Sequence, residues 1–212
     1  MQHHTSAPAL CLALCLTVAA SLGGLAGAAH AQSADTVGVH YAPAIKVEGN
    51  PLTLNGTGVS YRAVAKLYTV GLYVPQKSSK PEVIFTVGGP KELRFVMLQG
   101  MRVDEIGKVI TRGIEANSPR EEFFRLIPAI RNMGEQFSRI RRLNPNDTLS
   151  VEYVPRRGTM FYVNGAPAGL PIEDAAFFPA VLRVWLGNHP TTQDLKDALL
   201  DFRAPPVLDA LL

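Results

Sequence analysis

The stretch from Leu52 to Pro75 most constrains what this chain can form. It reads LTLNGTGVSYRAVAKLYTVGLYVP and is rich in Val, Tyr, Leu and Thr. β-Branched and aromatic residues favour a pleated, half-buried strand. Gly56, Gly58 and Gly71 interrupt the run, and glycines inside a strand mark a bulge, a sharp bend or the close approach of another backbone. Neither face would be simply polar, so the stretch predicts a central strand or a hairpin.

The same stretch carries three polar side chains whose spacing matters for function. If the strand is straight, alternate residues share a face, which groups Arg62, Lys66 and Tyr68 among apolar neighbours. At about 3.3 Å per residue, Arg62 and Tyr68 would then lie about 20 Å apart. The two side chains can meet only if the chain folds back between them, and the short spacing leaves little room for a turn.

The order of the remaining elements predicts an α+β fold. Strand-like runs come first, followed by helices with apolar residues every three or four positions, a hairpin and further helices. Such an order is typical of a mostly antiparallel sheet covered by helices. The predicted elements are strands at 37–42 and 93–98, helices at 103–117 and from 119 onward, a hairpin at 149–163, and helices at 176–186 and from 193 through 202.

Local signals predict how some of these elements begin or end. Ser118-Pro119-Arg120-Glu121 fits a capping box with proline at the first helical position. Pro128 is predicted to break or kink the helix that follows, because proline inside a helix removes a hydrogen bond. Asn164-Gly165 is a strong signal for a tight turn. Thr191-Thr192-Gln193-Asp194 is predicted to cap a last helix that runs through Phe202.

The first 31 residues have the pattern of a secretory signal peptide. An apolar run, LCLALCLTVAASLGGLAG, is followed by Ala29-His30-Ala31, which fits an A-x-A cleavage site. A single membrane anchor is the alternative, but the run is short for a span and lacks flanking charges. Cleavage would leave residues 32–212 as one domain of 181 residues (212 − 31), periplasmic or secreted and without a stable membrane span.

Composition argues against several kinds of site in the exported chain. Both cysteines, Cys11 and Cys15, lie in the predicted signal, so no disulfide or cysteine metal site is expected after cleavage. His40 and His189 are isolated and show no metal-ligand spacing. The net charge of +3 is modest, and the arginine clusters lack interleaved aromatic residues, so nucleic-acid binding is not expected. No metal and no cofactor are predicted.

Three segments together carry a family resemblance. They are GTGVSYRAVAKLYTVGLYV at 56–74, LRFVMLQGMRVDEIGKVITRGIEAN at 93–117, and GTMFYVNGAPAGLPIEDAAFFPAVLRVWLGNHP at 158–190. In their order and spacing they resemble the chalcone isomerase-like superfamily, in its bacterial exported branch. The resemblance implies an open-faced β-sandwich, in which a large antiparallel sheet is backed by helices and a ligand cleft lies between the two layers.

That superfamily contains plant isomerases, which close a phenolic chalcone to a flavanone, and fatty-acid-binding members without isomerase activity. By this resemblance, the positions of the catalytic groups of the isomerases carry other residues in this chain. They are Ser60 where the isomerases have an arginine, Tyr68 where they have a threonine, Ile106 where they have a tyrosine, Gly113 where they have an asparagine and Val184 where they have a threonine. Because none of these positions keeps the expected group, isomerisation by that mechanism is not expected.

The fatty-acid-binding members match better at one position, since they carry a tyrosine where Tyr68 stands. In those members an arginine and this tyrosine hold a carboxylate. Ser60 stands at the arginine position, and Arg62, two residues on, is the candidate replacement. The resemblance therefore implies a site for a small apolar or amphipathic ligand, such as a fatty acid, formed by Ser60, Arg62, Tyr68, Ile106 and Val184.

Two other functions stay open at this point. One is an isomerase or lyase that acts on a chalcone-like enone with a different set of residues, Arg62, Lys66 and Tyr68. The other is a structural or interaction protein of the cell envelope with a vestigial cleft. Arg62 is alternatively a structural arginine paired with a carboxylate, and Ile106 and Val184 are alternatively core residues. Whether the cleft is open, and which polar side chains reach it, distinguishes these functions.

Overall fold

A computed structural model describes residues 34–201 of the chain. Its strands are β1 (Ala34–Thr36), β2 (Val39–Tyr41), β3 (Ala44–Val47), β4 (Asn50–Arg62), β5 (Ala65–Val74), β6 (Lys91–Met97), β7 (Met101–Arg102), β8 (Arg142–Leu143), β9 (Thr148–Val154), β10 (Gly158–Val163) and β11 (Ala166–Pro167). Its helices are α1 (Pro81–Thr86), α2 (Val103–Ala116), α3 (Arg120–Ser138), α4 (Phe177–Leu186) and α5 (Gln193–Leu199).

Seven strands form one sheet in the order β11-β10-β9-β6-β5-β4-β3, and all neighbouring strands are antiparallel. The predicted α+β class, with a large antiparallel sheet backed by helices, is confirmed. Alternate residues of β6 show why the helices pack on one face, since Leu93, Phe95 and Met97 are buried in the main apolar core. The same core contains apolar side chains of α2, α3, α4 and α5.

The stretch Leu52–Pro75 is a hairpin made of β4 and β5. The chain reverses at Ala63 and Val64, so that Arg62 pairs with Ala65 and Ser60 pairs with Tyr68. Ala63 accommodates the reversal with a left-handed φ of 54°. The expectation that the short spacing leaves little room for a turn is therefore wrong, because a two-residue turn is enough. A register shift between Ser60 and Tyr61 also breaks the simple alternation of faces.

The glycines of this hairpin mark both a bulge and close approaches. The register shifts between Leu54 and Gly56, and helix α5 packs on β4 there. A Cβ on Gly56 would overlap with the carbonyl oxygen of Ala198 and lie 2.6 Å from that of Leu199. A Cβ on Gly71 would lie 2.6 Å from the ring of Tyr41 on the opposite face of the sheet. The glycines thus allow neighbouring elements to approach both faces of the hairpin.

At the bulge next to Gly56, the polar side chain of Asn55 makes hydrogen bonds to two other segments of the chain. Asn55 is fully buried, and its amide nitrogen donates to the carbonyl oxygens of Ser78 (3.0 Å) and Leu199 (2.7 Å). Its amide oxygen accepts a hydrogen bond from the Ser78 N–H at 2.8 Å. Asn55 therefore joins β4 to the segment after β5 and to the end of α5.

One local helix prediction is wrong, and one of the two outcomes predicted at Pro128, a break, does not occur. Helix α3 begins after Pro119, which occupies the N-cap position, and no side chain caps it, so the predicted capping box is wrong. The Ser118 hydroxyl is one residue too far out to cap and is buried without a hydrogen-bond partner among the described residues. Pro128 lies inside α3 and does not end it. Buried residues on both sides of this proline, Leu126 and Ala129, hold the helix on the core despite the missing N–H.

The C-terminal and N-terminal predictions have different outcomes. The Thr192 hydroxyl accepts a hydrogen bond from the Leu195 N–H at 3.3 Å and caps α5. The helix ends at Leu199, earlier than predicted, and Phe202 lies outside the described residues. The predicted signal peptide, residues 1–31, also lies outside them. Between residues 34 and 201, no helix combines the length and apolar character that a membrane crossing requires.

A charged cluster lies on the sheet face opposite the helices. Glu92 is fully buried, and its carboxylate accepts hydrogen bonds from Arg94 (Nε, 2.7 Å; Nη2, 3.1 Å) and from the Ser150 hydroxyl (2.7 Å). Glu152 stands directly opposite Glu92 on the neighbouring strand. Burial and the nearby Glu92 charge raise the pKa of Glu152 from its ordinary value of 4.5 to about 7.

The raised pKa of Glu152 predicts that stability falls as pH rises. Between pH 4.5 and 7 the folded state binds more protons at Glu152 than the unfolded chain does. The stability that comes from protonating Glu152 is therefore fully present below pH 4.5 and is lost above pH 7. Each pKa unit corresponds to about 1.4 kcal/mol. Because Glu152 is partly solvated, we expect a discounted effect of about 1–2 kcal/mol. Glu152→Gln should therefore be more stable than wild type by this amount at pH 8.

Urea denaturation of both proteins at pH 5 and pH 8 measures this effect. At pH 5 the two stabilities should nearly coincide, because most Glu152 side chains are then protonated. The exposed Glu173 supplies the matched control, and Glu173→Gln should change stability little at either pH. A stability gain for Glu152→Gln that is equal at both pH values would contradict the assignment.

Candidate ligand-binding site

A cleft of about 380 Å³ opens between the end of the β4–β5 hairpin and helices α2 and α4. This volume is at the lower end of the range of about 300–1000 Å³ that is typical of small-molecule pockets. The apolar part of its wall includes Leu67, Met101, Ile106, Val109 and Val184. The cleft is therefore open rather than filled by side chains.

The structure brings all five predicted site residues to this cleft. Ser60 and Tyr68 are cross-strand partners in the β4–β5 hairpin, and Arg62 lies near its tip. Ile106 comes from α2 and Val184 from α4. The fold-back of the hairpin is what makes this grouping possible, because a straight strand would have separated Arg62 from Tyr68. Whether these residues bind a ligand stays a prediction.

Arg62 lies at the rim of the cleft. Its side chain is 65% exposed, and its Nη2 donates to Glu105 Oε2 of helix α2 at 3.1 Å. Both residues line the cleft. Exposed ion pairs of this kind contribute only about 0–1 kcal/mol, so the pair can rearrange at little cost. Arg62 is thus a rim residue already paired with a carboxylate, as the structural alternative for this arginine anticipated.

Three side chains with polar groups, Ser60 and Tyr68 of the hairpin and Trp185 of α4, line the cleft. Tyr68 is 5% exposed, and its ring packs edge-on against Phe95 with 5.4 Å between the ring centres. Burial raises the pKa of the Tyr68 hydroxyl, while the Ser60 hydroxyl and the Trp185 indole N–H act in the opposite direction. Ser60 is also buried. These groups form a compact, uncharged set of potential hydrogen-bond donors.

Trp185 also lines the cleft, and the site predicted from the sequence did not include it. Its side chain is 1% exposed and lines the cleft. Its indole nitrogen is buried and has no hydrogen-bond partner anywhere in residues 34–201. Buried indole N–H groups usually find a partner. The sequence signal for a polar role of this residue was its type, because the tryptophan side chain can donate a hydrogen bond but cannot accept one.

Gly113 and Val184 are sterically coupled across the cleft. A Cβ on Gly113 would lie 2.5 Å from Cγ1 of Val184, a side chain with little freedom to move away. These are two of the positions at which the resemblance matched catalytic polar groups. Helices α2 and α4 approach too closely here for the larger asparagine side chain without a shift of Val184. The two replacements therefore act together to make this wall apolar.

Other charged groups stay at the mouth or outside it. Arg112 and His189 line the cleft and are exposed. Lys66 is exposed and is not among the residues that line the cleft. The alternative catalytic set of Arg62, Lys66 and Tyr68 is therefore not assembled in one place.

A seven-stranded antiparallel sheet with helices on one face and an apolar cleft between them defines an open-faced β-sandwich. The chain belongs to the chalcone isomerase-like family, whose model matches residues 33–201. Among solved structures, it is similar to the Arabidopsis thaliana fatty-acid binding protein AtFAP1, with a TM-score of 0.64 and 12% sequence identity. That match covers 80% of this chain and 96% of AtFAP1. No curated protein sequence matches the chain.

Proposed function

We propose that this protein is an exported, non-catalytic binding protein for a small amphipathic ligand such as a fatty acid. The observation that carries the proposal is the open cleft of about 380 Å³, with apolar walls and the buried Tyr68 beside it. The similarity of the fold to a fatty-acid binding protein supports the ligand class. The sequence pattern of residues 1–31 supports export.

The walls of the cleft can supply most of the binding free energy. Ile106 and Val184 present side chains from two helices, and Leu67, Met101 and Val109 extend the apolar surface toward the mouth. Each ligand methylene that leaves water contributes about 0.8 kcal/mol. A polar head group then needs only a few fixed hydrogen-bonding groups, such as Tyr68, to set its orientation.

The absence of catalysis is proposed from the composition of the site. The positions that resemble catalytic groups of the isomerases carry Ser60, Tyr68, Ile106, Gly113 and Val184. Three of these five side chains have no polar atom, and the guanidinium nearest to them, on Arg62, is paired with Glu105 at the rim. We expect no turnover of chalcones or similar enones.

Ligand binding is tested with purified mature protein that has been stripped of lipid. Mass spectrometry of the protein before stripping should show copurified lipid, and dodecanoic acid or its methyl ester should bind the stripped protein by calorimetry. Tyr68→Phe should weaken binding about fivefold, because a hydrogen bond contributes about 1 kcal/mol. Val109→Trp, at a position that is 37% exposed at the cleft, should obstruct entry without disturbing the core.

The matched control is Tyr162→Phe, since Tyr162 is a partly buried tyrosine on the charged-cluster side of the sheet, away from the cleft. It should leave affinity unchanged. A stripped protein that binds neither dodecanoic acid nor its ester, or that binds them equally well after Val109→Trp, would rule out the cleft as a lipid site. Turnover of an enone would overturn the non-catalytic part of the proposal.

A further inference from the structure

We propose that the end of the β4–β5 hairpin is a docking surface for an anionic lipid bilayer, which it contacts at the mouth of the cleft. The docking surface consists of Tyr61, Arg62, Val64 and Lys66 of the hairpin, together with Val109 and Arg112 of helix α2. Docking there places the cleft next to a bilayer from which a lipid can enter. The inference therefore rests on the proposed function for its cargo, but not for the surface itself.

The apolar side chains of this surface are exposed to solvent. Val64 is 95% exposed, Tyr61 is 50% exposed and Val109 is 37% exposed. Tyr61 and Val109 line the cleft together with the half-buried Leu67, and Val64 lies at the turn of the hairpin that carries Tyr61. Single exposed apolar residues are ordinary, but an exposed group that continues the apolar wall of a cleft indicates a surface for an apolar partner.

The turn at Ala63-Val64 is also unusual for this protein. Three other hairpins in residues 34–201 have a two-residue turn, and each places a glycine with a left-handed φ at the second position, namely Val37-Gly38, Glu48-Gly49 and Asn164-Gly165. Glycine is the residue that turn geometry favours at such a position. Because its side chain is almost fully exposed, Val64 contributes little packing to the hairpin. Contact with an apolar partner accounts for a valine at this tip.

The charges around these apolar side chains favour an anionic partner. No aspartate or glutamate occurs between residues 49 and 81, whereas Arg62 and Lys66 lie in that stretch and are exposed. Arg112 adds a third exposed cation from α2. The carboxylate that lines the cleft is that of Glu105, which pairs with Arg62. Three cations against one carboxylate leave the surface positive, and each lysine or arginine near an anionic membrane strengthens binding about fivefold.

A bilayer fits this arrangement better than a folded acidic protein. Two exposed apolar side chains at a hairpin tip supply only a small part of the area of about 800 Å² per partner that a stable protein interface buries. They can enter the interfacial region of a bilayer, where tyrosine is enriched, while Arg62 and Lys66 reach the lipid phosphates. Docking through so few side chains is weak and reversible, as the transfer of a ligand requires.

Co-sedimentation with vesicles tests the docking surface. The processed protein, whose mass confirms the loss of residues 1–31, is mixed with vesicles of phosphatidylcholine alone or of phosphatidylcholine and phosphatidylglycerol in equal parts. The protein should bind the anionic vesicles at least about tenfold more tightly. That binding should weaken when the salt is raised from about 0.05 M to about 0.5 M, because salt screens exposed charges.

Substitutions at exposed positions locate the contact. Val64→Ser and Lys66→Gln should each weaken binding to the anionic vesicles about fivefold, since one loses apolar surface and the other loses a charge. Val64→Trp should strengthen it about tenfold, because an indole ring favours the membrane interface. Leu170→Ser, at a side chain that is 81% exposed, and Lys80→Gln, at an exposed lysine, are the matched controls outside the docking surface. Both should leave binding within about twofold, and thermal melting checks that all variants fold.

Calorimetry with dodecanoic acid free in solution separates this inference from the proposed function. Val64→Ser and Lys66→Gln should keep the wild-type affinity for the acid, because neither side chain lines the cleft. A protein that binds the acid but not the anionic vesicles overturns the inference, leaves lipid binding standing and favours an acidic protein as the partner of the tip. Equal binding to both kinds of vesicle, or an equal loss in Leu170→Ser, also overturns it. If the vesicles bind through Val64 and Lys66 but the acid does not bind, the docking surface stands and the proposed function fails.

Discussion

Gly56→Ala is expected to lower the free energy of unfolding by about 3 kcal/mol or more. The added methyl group would overlap with the carbonyl oxygen of Ala198 and lie 2.6 Å from that of Leu199. Both atoms belong to the backbone of helix α5, so no side-chain rotation can relieve the clash. The helix must move away from β4, which also strains the 2.7 Å hydrogen bond from Asn55 to Leu199. Overpacking against rigid neighbours produces losses of this size.

Gly88→Ala is the matched control, because a Cβ there meets nothing within 4 Å and its φ is not left-handed. That substitution should be neutral or slightly stabilising, since alanine restricts the unfolded chain. Urea denaturation followed by circular dichroism measures both variants. If Gly56→Ala costs less than about 1 kcal/mol, α5 does not press against β4 as closely as the structure shows.

The same glycine illustrates how much of the fold the sequence could predict. The run of Val, Tyr and Leu between Leu52 and Pro75 indicated strands, and its interior glycines indicated close approach or a bulge. Both occur. The turn at Ala63-Val64 could not be predicted, because neither residue is a usual turn former. Its position depends on the pairing of β4 with β5, which is a property of the whole sheet.

Helix boundaries show a similar limit. The apolar spacing of α2 and α4 predicted both helices almost to the residue. Of the two outcomes predicted at Pro128, the break does not occur, because core contacts on both sides outweigh one lost hydrogen bond; the kink stays a prediction. The Ser118 side chain does not cap α3, because Pro119 occupies the N-cap position of this helix.

The sequence named residues that line one cleft, but not the contacts that these residues make. Ser60, Arg62, Tyr68, Ile106 and Val184 all line one cleft, and their role in binding a ligand stays a prediction. The pairing of Arg62 with Glu105 joins residues 43 positions apart, which no local pattern reveals. The unpartnered N–H of Trp185 is likewise a result of packing between α4 and the sheet.

Removal of Arg94 should have the second large effect. Arg94→Met keeps much of the aliphatic side chain but leaves the fully buried Glu92 carboxylate without its counter-charge, directly opposite Glu152. Breaking a buried ion pair by removing one partner typically costs about 3–5 kcal/mol. Because Arg94 is itself partly solvated, we expect about 3 kcal/mol at pH 8. The measurement is urea denaturation at pH 8 and pH 5.

The pH dependence identifies charge as the cause. At pH 5 the loss should be smaller, because a protonated carboxyl group in the variant needs no counter-charge. The double variant Arg94→Met/Glu92→Gln should recover most of the stability, since replacing both partners of a buried pair is often nearly neutral. Arg131→Met, at a side chain that is 81% exposed, should change stability by less than about 0.5 kcal/mol. The guanidinium carbon of Arg94 also lies 5.4 Å from the centre of the Tyr73 ring. An equal loss of stability at both pH values, with no recovery in the double variant, would mean that Arg94 acts through packing against Tyr73 rather than through its charge.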